Sequence, residues 1–203
     1  QSSAARSLNV LYLIGSYGPD AMGTASHEET IVELKRRGHS VDVLTQVNKQ
    51  GAPPLRRVAY RGVTVYEANV SWRVGPVGRG MRLVSERLLQ YEYVPLLVRA
   101  LRRLLRARRY DLIHAEGAYP FGFVATLGAG RVPYVANVQG ADVISLPEAD
   151  YGYRRFPVPR MLVGTALRRA SRIRVISPLL RDYLRDQGLA EPGRVDVVLR
   201  ALE

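Results

Sequence analysis

The sequence predicts an α/β fold: a Rossmann-like, doubly wound sheet of about six or seven mostly parallel strands, with helices on both faces. Three observations predict it. From Leu8 to Thr45 an apolar run, a glycine-bearing loop, a helical pattern and a second apolar run follow one another. That order is a βαβ unit, whose crossover makes neighbouring strands parallel. Short apolar runs then alternate with helical patterns as far as Leu199, as a parallel α/β domain requires. No internal repeat and no interdomain linker interrupts the alternation, so we read residues 8–203 as one domain and residues 1–7 as a polar, disordered leader.

The elements follow in order. Leu8, Val10, Leu11, Leu13 and Ile14 form the first buried strand. The loop behind it carries Gly15, Gly18, Pro19 and Gly23. Ser26 and Glu29 match the Ser-x-x-Glu capping box at a helix start. That helix runs to about Arg37, where Gly38 suits a left-handed cap. Val41, Val43 and Leu44 make the second strand. Residues 46–55 read as a loop. Arg57 to Ala68 reads as a hairpin about Arg61-Gly62, or as a strand preceded by a turn. Ser71 to Gly80 is rich in glycine and proline and is expected to be mobile. Met81 to Arg109 is helical in pattern, broken or kinked at Pro95. Strands are expected at 111–115, 133–138, 173–176 and 195–199. Helices are expected at 120–129, 160–170 and 178–187, and a loop at 143–153.

Composition narrows the function. An apolar fraction of 47% supports a real core, and no apolar run approaches the ~20 residues that span a bilayer. Cysteine is absent, which excludes disulfides and thiolate metal sites and fits a cytosolic chain. The formal charge is +12, and every basic residue except Lys35 and Lys49 is arginine. Such a balance attracts phosphates, nucleic acid or anionic lipid; a bias toward arginine codons is the bland alternative.

Four groups of residues carry candidate chemistry. Gly23 and Thr24 sit at a helix start, where free amides and the helix dipole favour an anion such as a phosphate; otherwise they make a glycine turn. The loop is not G-x-G-x-x-G, so it does not predict a dinucleotide site. Gln139 to Asp142 follow a strand and point toward the ligand-binding edge of the sheet. Gln139 can donate and accept hydrogen bonds to ligand hydroxyls; Asp142 can accept them or cap local amides. His114 ends a strand with Glu116 two residues on, able to position a ligand or move a proton, or else to be a buried structural pair. His39 reads as structural. With His27 far away in sequence, no metal site is expected. Leu97 to Arg109 is two-faced: Arg99, Arg102, Arg103, Arg106 and Arg109 lie on one side, and Leu97, Leu101, Leu104 and Leu105 on the other. It is either a solvated surface helix or one attracted to anionic membrane.

Several segments together resemble the N-terminal half of family 4 retaining glycosyltransferases, which have the two-domain GT-B fold. They are Arg37-Gly38-His39-Ser40-Val41; Tyr110 to Ala115 followed by Tyr119-Pro120-Phe121-Gly122; Val132 to Val135 leading to Gln139-Gly140-Ala141-Asp142; Ala170 to Ser177; and Val195 to Glu203. Each is weak alone, but their order and spacing span nearly the whole chain. The sequence departs from the family at Met22-Gly23-Thr24, Gln139, Arg172 and Arg200 to Glu203. The resemblance implies the acceptor-side domain of an enzyme that moves a sugar from a nucleotide-sugar donor to a hydroxyl, sugar or lipid-linked, with retention. The nucleotide sugar is then a co-substrate, and no bound cofactor is expected. It implies catalytic roles for Gln139 and Asp142 and substrate contacts for Gly23, Thr24, His114, Glu116 and Tyr119. It also implies a C-terminal donor domain beyond Glu203, where the chain looks cut at a domain boundary, and hence inactivity alone. The expected location is cytoplasmic, with peripheral attachment to the inner membrane face through the arginine helix. The rivals are a stand-alone Rossmann nucleotide-binding protein and a non-catalytic anionic-membrane module. Nucleic acid is not expected, because no aromatics stand among the helix arginines.

Overall fold

The computed structural model describes residues 6–19, 25–71 and 76–199, except the side chains of residues 25, 26, 76 and 77. Among them one eight-stranded sheet organises the chain. The first crossover runs from β1 (Asn9–Leu13) through α1 (Ala25–Arg36) to β2 (Ser40–Val47), and β1 pairs with β2 in parallel. Gly38 closes α1 at φ +86°, a left-handed angle that favours glycine, and its amide donates to the Lys35 carbonyl. Ser26 lies inside α1 rather than ahead of it, so it is not the cap that the Ser-x-x-Glu spacing suggested.

A hairpin follows, formed by β3 (Leu55–Tyr60) and β4 (Val63–Asn69), the one antiparallel pair among the described strands. Arg61 at φ 47° and Gly62 at φ 69° make its two-residue turn, the left-handed pair that suits a twisted hairpin. This hairpin raises the strand count above the expected six or seven. α2 (Pro76–Val84) occupies half of the stretch expected to be mobile, and continues into a π-helical turn at Ser85–Leu89. α3 (Val94–Ala107) starts with Pro95 in its first turn, so of the break or kink expected at this proline the structure has the break, between Leu89 and Val94. Arg109 lies beyond the end of α3, outside the arginine face it was expected to share.

The rest alternates as expected: β5 (Leu112–Glu116), α4 (Phe123–Gly128), β6 (Tyr134–Val138), α5 (Pro157–Arg169), β7 (Arg172–Val175), α6 (Pro178–Asp186) and β8 (Val195–Val197). Ser177 caps α6, its hydroxyl accepting from the Leu180 amide at 3.2 Å. The strand order is β3-β4-β2-β1-β5-β6-β7-β8, with the reversal at β1 and β5.

Two cores flank the sheet. Leu11 and Leu13 of β1 face the larger one, with Leu97, Leu101, Leu167 and Leu184 of α3, α5 and α6. Val10 and Tyr12 face the smaller one, with Ile31 of α1. This is the alternation a strand imposes when both faces are covered. Near the start of β5 a polar knot closes on the buried Asp42. The Arg108 guanidinium lies 3.1 Å from Asp42 and donates to the Tyr66 hydroxyl, while Tyr110 donates to Asp42 at 2.7 Å. Burial, then the Asp42 hydrogen bond, pushes the Tyr110 pKa far up.

Candidate functional site

The carboxyl ends of β1, β5 and β6 meet at the reversal of strand order, where open α/β sheets bind ligands. Sheet register sets side chains from distant parts of the sequence side by side. Tyr12 pairs with His114, and Glu116 with Asn137. The Tyr12 and His114 rings stack at 4.3 Å and 11°.

Glu116 is the hub. Its carboxylate accepts from Asn137 Nδ2 at 2.7 Å, from Tyr12 Oη at 3.3 Å and from Gln139 Nε2. His27 Nδ1 of α1 lies 3.5 Å from the same carboxylate and 3.1 Å from the Tyr12 hydroxyl. A hydroxyl has one proton; with it directed at Glu116, His27 Nδ1 is the donor to Tyr12. His114 Nε2 stands 3.8 Å from Glu116, beyond hydrogen-bonding range but near enough to act as a charge when protonated. Burial pushes the Glu116 pKa up, but His114, His27 and the Asn137 amide outweigh it, so the carboxyl titrates below its ordinary range.

Beside this hub opens a cavity of about 470 Å³. α1 contributes His27, Thr30 and Glu33 to its wall, and Arg37 follows just beyond the helix; the strands and the segments after them contribute His114, Asn137, Gln139 and Arg174. Three buried polar atoms on that wall have no hydrogen-bond partner among the described residues: His114 Nε2, Asn137 Oδ1 and Arg174 Nε. Buried polar atoms are rarely left unpaired without a reason, and an awaited ligand is one. This trio supplies a donor, an acceptor and an imidazole nitrogen able to be either.

The expected site residues divide. Gln139, His114 and Glu116 come together as described. Asp142 is buried and turned inward: Oδ2 accepts from the Ala118 amide at 2.6 Å, and Oδ1 from Gly140 at 3.0 Å and Gln139 at 3.3 Å. Burial pushes its pKa up against these amides. Its carboxylate holds the loop after β6 rather than facing the cavity. Tyr119 is a core residue: it is 2% exposed, its hydroxyl donates to the Leu89 carbonyl, and its ring packs on Tyr153. It does not line the cavity. Gly23 and Thr24 lie outside the described residues. Arg99, Arg102, Arg103 and Arg106 are exposed on α3, away from this site. Sequence reading missed His27, Asn137 and Arg174. The signal for Asn137 was its place on β6 two residues before Gln139, which follows the strand. No group of His, Asp and Glu among the described residues is arranged to hold a metal.

The family model of the glycosyl transferase 4-like domain matches residues 23–200. The chain belongs to that family. No curated protein matches. Solved structures share the fold of this glycosyl transferase 4-like domain. Sucrose-phosphate synthase from Thermosynechococcus elongatus aligns at 17% identity and TM-score 0.65, covering 95% of this chain and 48% of that one. The catalytic domain of starch synthase IV from Arabidopsis thaliana, bound to ADP and acarbose, aligns at 14% and 0.63, covering 97% and 52%. UDP-GlcNAc 2-epimerase from Methanocaldococcus jannaschii aligns at 13% and 0.58, covering 94% and 45%. The chain thus spans about half the length of the structures it matches. The resemblance to GT-B glycosyltransferases read from the motifs therefore holds for family and fold.

Proposed function

We propose that this domain is the acceptor-side half of a glycosyltransferase that moves a sugar from a nucleotide-sugar donor to a hydroxyl acceptor with retained configuration. The observation that carries the reading is that His114, Asn137 and Arg174, each with a buried polar atom that has no partner among the described residues, line one cavity at the carboxyl ends of the strands. A sugar hydroxyl both donates and accepts, and so suits a wall that carries an imidazole, an amide and a guanidinium. Arg174 adds a positive charge suited to a phosphate oxygen. Glu116 fixes the Asn137 and Gln139 amides by accepting from both, so these side chains are set before a ligand arrives. Gln139 then contacts substrate, and Asp142 acts through it by pinning the loop that carries it. Gly23 and Thr24 are proposed to contact the donor phosphates. The acceptor is a sugar or a lipid-linked hydroxyl, the setting cytoplasmic, and the nucleotide sugar the sole added reactant.

On this reading the nucleotide pocket lies in a second domain, and the 203-residue chain alone transfers no sugar. Incubation with a panel of UDP- and ADP-sugars tests this by measuring transfer and donor hydrolysis. Turnover in the usual range of ~1–1000 per second would show the chain to be self-sufficient. The fold shared with a UDP-GlcNAc 2-epimerase favours a second reading, epimerisation of a nucleotide sugar without transfer. Appearance of an epimeric sugar nucleotide in the same incubations, with no glycoside formed, would select it.

A further inference from the structure

Acidic residues are absent from three long stretches, 93–110, 117–141 and 151–181. These stretches hold α3, α4 and α5, which pack side by side over the larger core on one face of the sheet. α3 exposes Arg99, Arg102, Arg103 and Arg106, and α5 exposes Arg160, Arg168 and Arg169. Among the described residues none of these arginines has an ion pair. On other parts of the surface Arg36 pairs with Glu33, Arg56 with Glu67, and Arg61 with Glu28. The three helices of this face therefore present positive charge with no acidic residue among them.

Two large apolar side chains stand among the unpaired arginines. Met161 is 62% exposed on α5, next to Arg160, and Leu127 is 43% exposed at the end of α4. Arg102 donates to the Leu127 carbonyl at 2.8 Å, which ties the two helices together at this point. Unpaired guanidinium groups with interspersed apolar side chains match the boundary between phosphate headgroups and acyl chains. A nucleic-acid surface would add exposed aromatics for base stacking. α3 and α5 contain none, and Phe123 of α4 is buried.

We propose that the outer face of α3, α4 and α5 docks the protein on an anionic lipid surface. The proposal is independent of sugar transfer. α1, which walls the candidate cavity, packs on the opposite face of the sheet, so docking leaves the cavity accessible.

Sedimentation with vesicles tests it, using equal parts phosphatidylglycerol and phosphatidylcholine, and phosphatidylcholine alone. Binding is expected to the mixed vesicles at low salt, to be lost near ~1 M salt, where the screening length is ~3 Å, and to be absent on the neutral vesicles. Each arginine at such a surface changes partitioning about fivefold, so the triple variant Arg99→Gln, Arg103→Gln, Arg106→Gln should bind roughly 100-fold more weakly. Met161→Asp should also weaken binding, with unchanged thermal unfolding as the control for its fold. A charge-matched triple on paired arginines, Arg36→Gln, Arg56→Gln, Arg61→Gln, should retain binding. Equal binding by wild type and the first triple would overturn the proposal. So would equal losses in the two triples, which would mean that net charge alone acts. Tighter binding to random-sequence duplex DNA than to the mixed vesicles would give the face to nucleic acid instead.

Discussion

Replacing Glu116 by glutamine removes the charge at the centre of the site while keeping the side-chain shape. The carboxylate accepts from Asn137 Nδ2, Gln139 Nε2 and Tyr12 Oη, and its side chain is 11% exposed. A glutamine offers one oxygen and an NH₂ that must face donors, so at least one buried N–H or O–H loses its acceptor. Hydrogen bonds to charged groups contribute ~1.5–3 kcal/mol each, and an unsatisfied buried partner costs a similar amount. A net loss of about 2–3 kcal/mol is expected, which for a domain of this size lowers Tm by roughly 5–10 °C. The pH dependence has a defined sign. The folded-state carboxyl titrates below its ordinary value, so its contribution is complete above the unfolded pKa of ~4.3 and fades as pH falls through the folded value. The Tm gap between wild type and Glu116→Gln should therefore be large near pH ~5 and shrink by pH ~3. Thermal unfolding followed by circular dichroism reads both. A gap under ~1 °C near pH 5, or one that widens toward pH 3, would refute the hub role.

Other outcomes follow from the same geometry. In the complete enzyme Gln139→Ala should lower kcat/KM about tenfold to a few hundredfold. Gln139→His should keep more activity and acquire a pH dependence between about pH 6 and 7; full activity in Gln139→Ala would remove the residue from the site. A Cβ on Gly128 would lie 2.7 Å from Leu101 Cδ2, so Gly128→Ala should cost ~1–3 kcal/mol by overpacking the α3–α4 contact, read by urea unfolding; an unchanged midpoint would show that Leu101 moves freely. The hydrogen bonds from Arg36 and Arg37 hold the Glu33 carboxyl down at about 2. An NMR titration should find its midpoint well below the ordinary ~4.3, and a midpoint at the ordinary value would mean that these surface pairs do not persist in solution.

Much of the fold was legible because its signals are local. The run from Leu8 to Thr45, the left-handed Gly38 and the Arg61-Gly62 turn each depend on a few neighbouring residues, and each is where the pattern placed it. α2 was not legible, because glycine and proline in Ser71 to Gly80 read as loop signals, yet Pro76 opens a helix, where a missing amide costs nothing. The site was half legible. His114, Glu116 and Gln139 stand at strand ends, where chain order and sheet order agree. His27 is far from the other site residues in sequence, but α1 crosses back over β1 and brings it to 3.1 Å from Tyr12. Arg174 is on β7, the strand next to β6 in the sheet though thirty-odd residues on in the chain. Tyr119 looked like a site residue because it follows the Asp-x-x-His strand, but its side chain turns into the core, which spacing alone does not reveal.

NMR titration of the labelled chain with UDP-glucose, ADP-glucose and glucose 6-phosphate tests most directly whether the cavity beside Glu116 receives the sugar ligand. The account predicts that, even at the ~1 mM affinity of a half-site, at ~4 kcal/mol, the largest shifts fall on the side chains of His114, Asn137 and Arg174. Shifts confined to other surfaces, or none at ~10 mM ligand, about tenfold above that affinity, would contradict it.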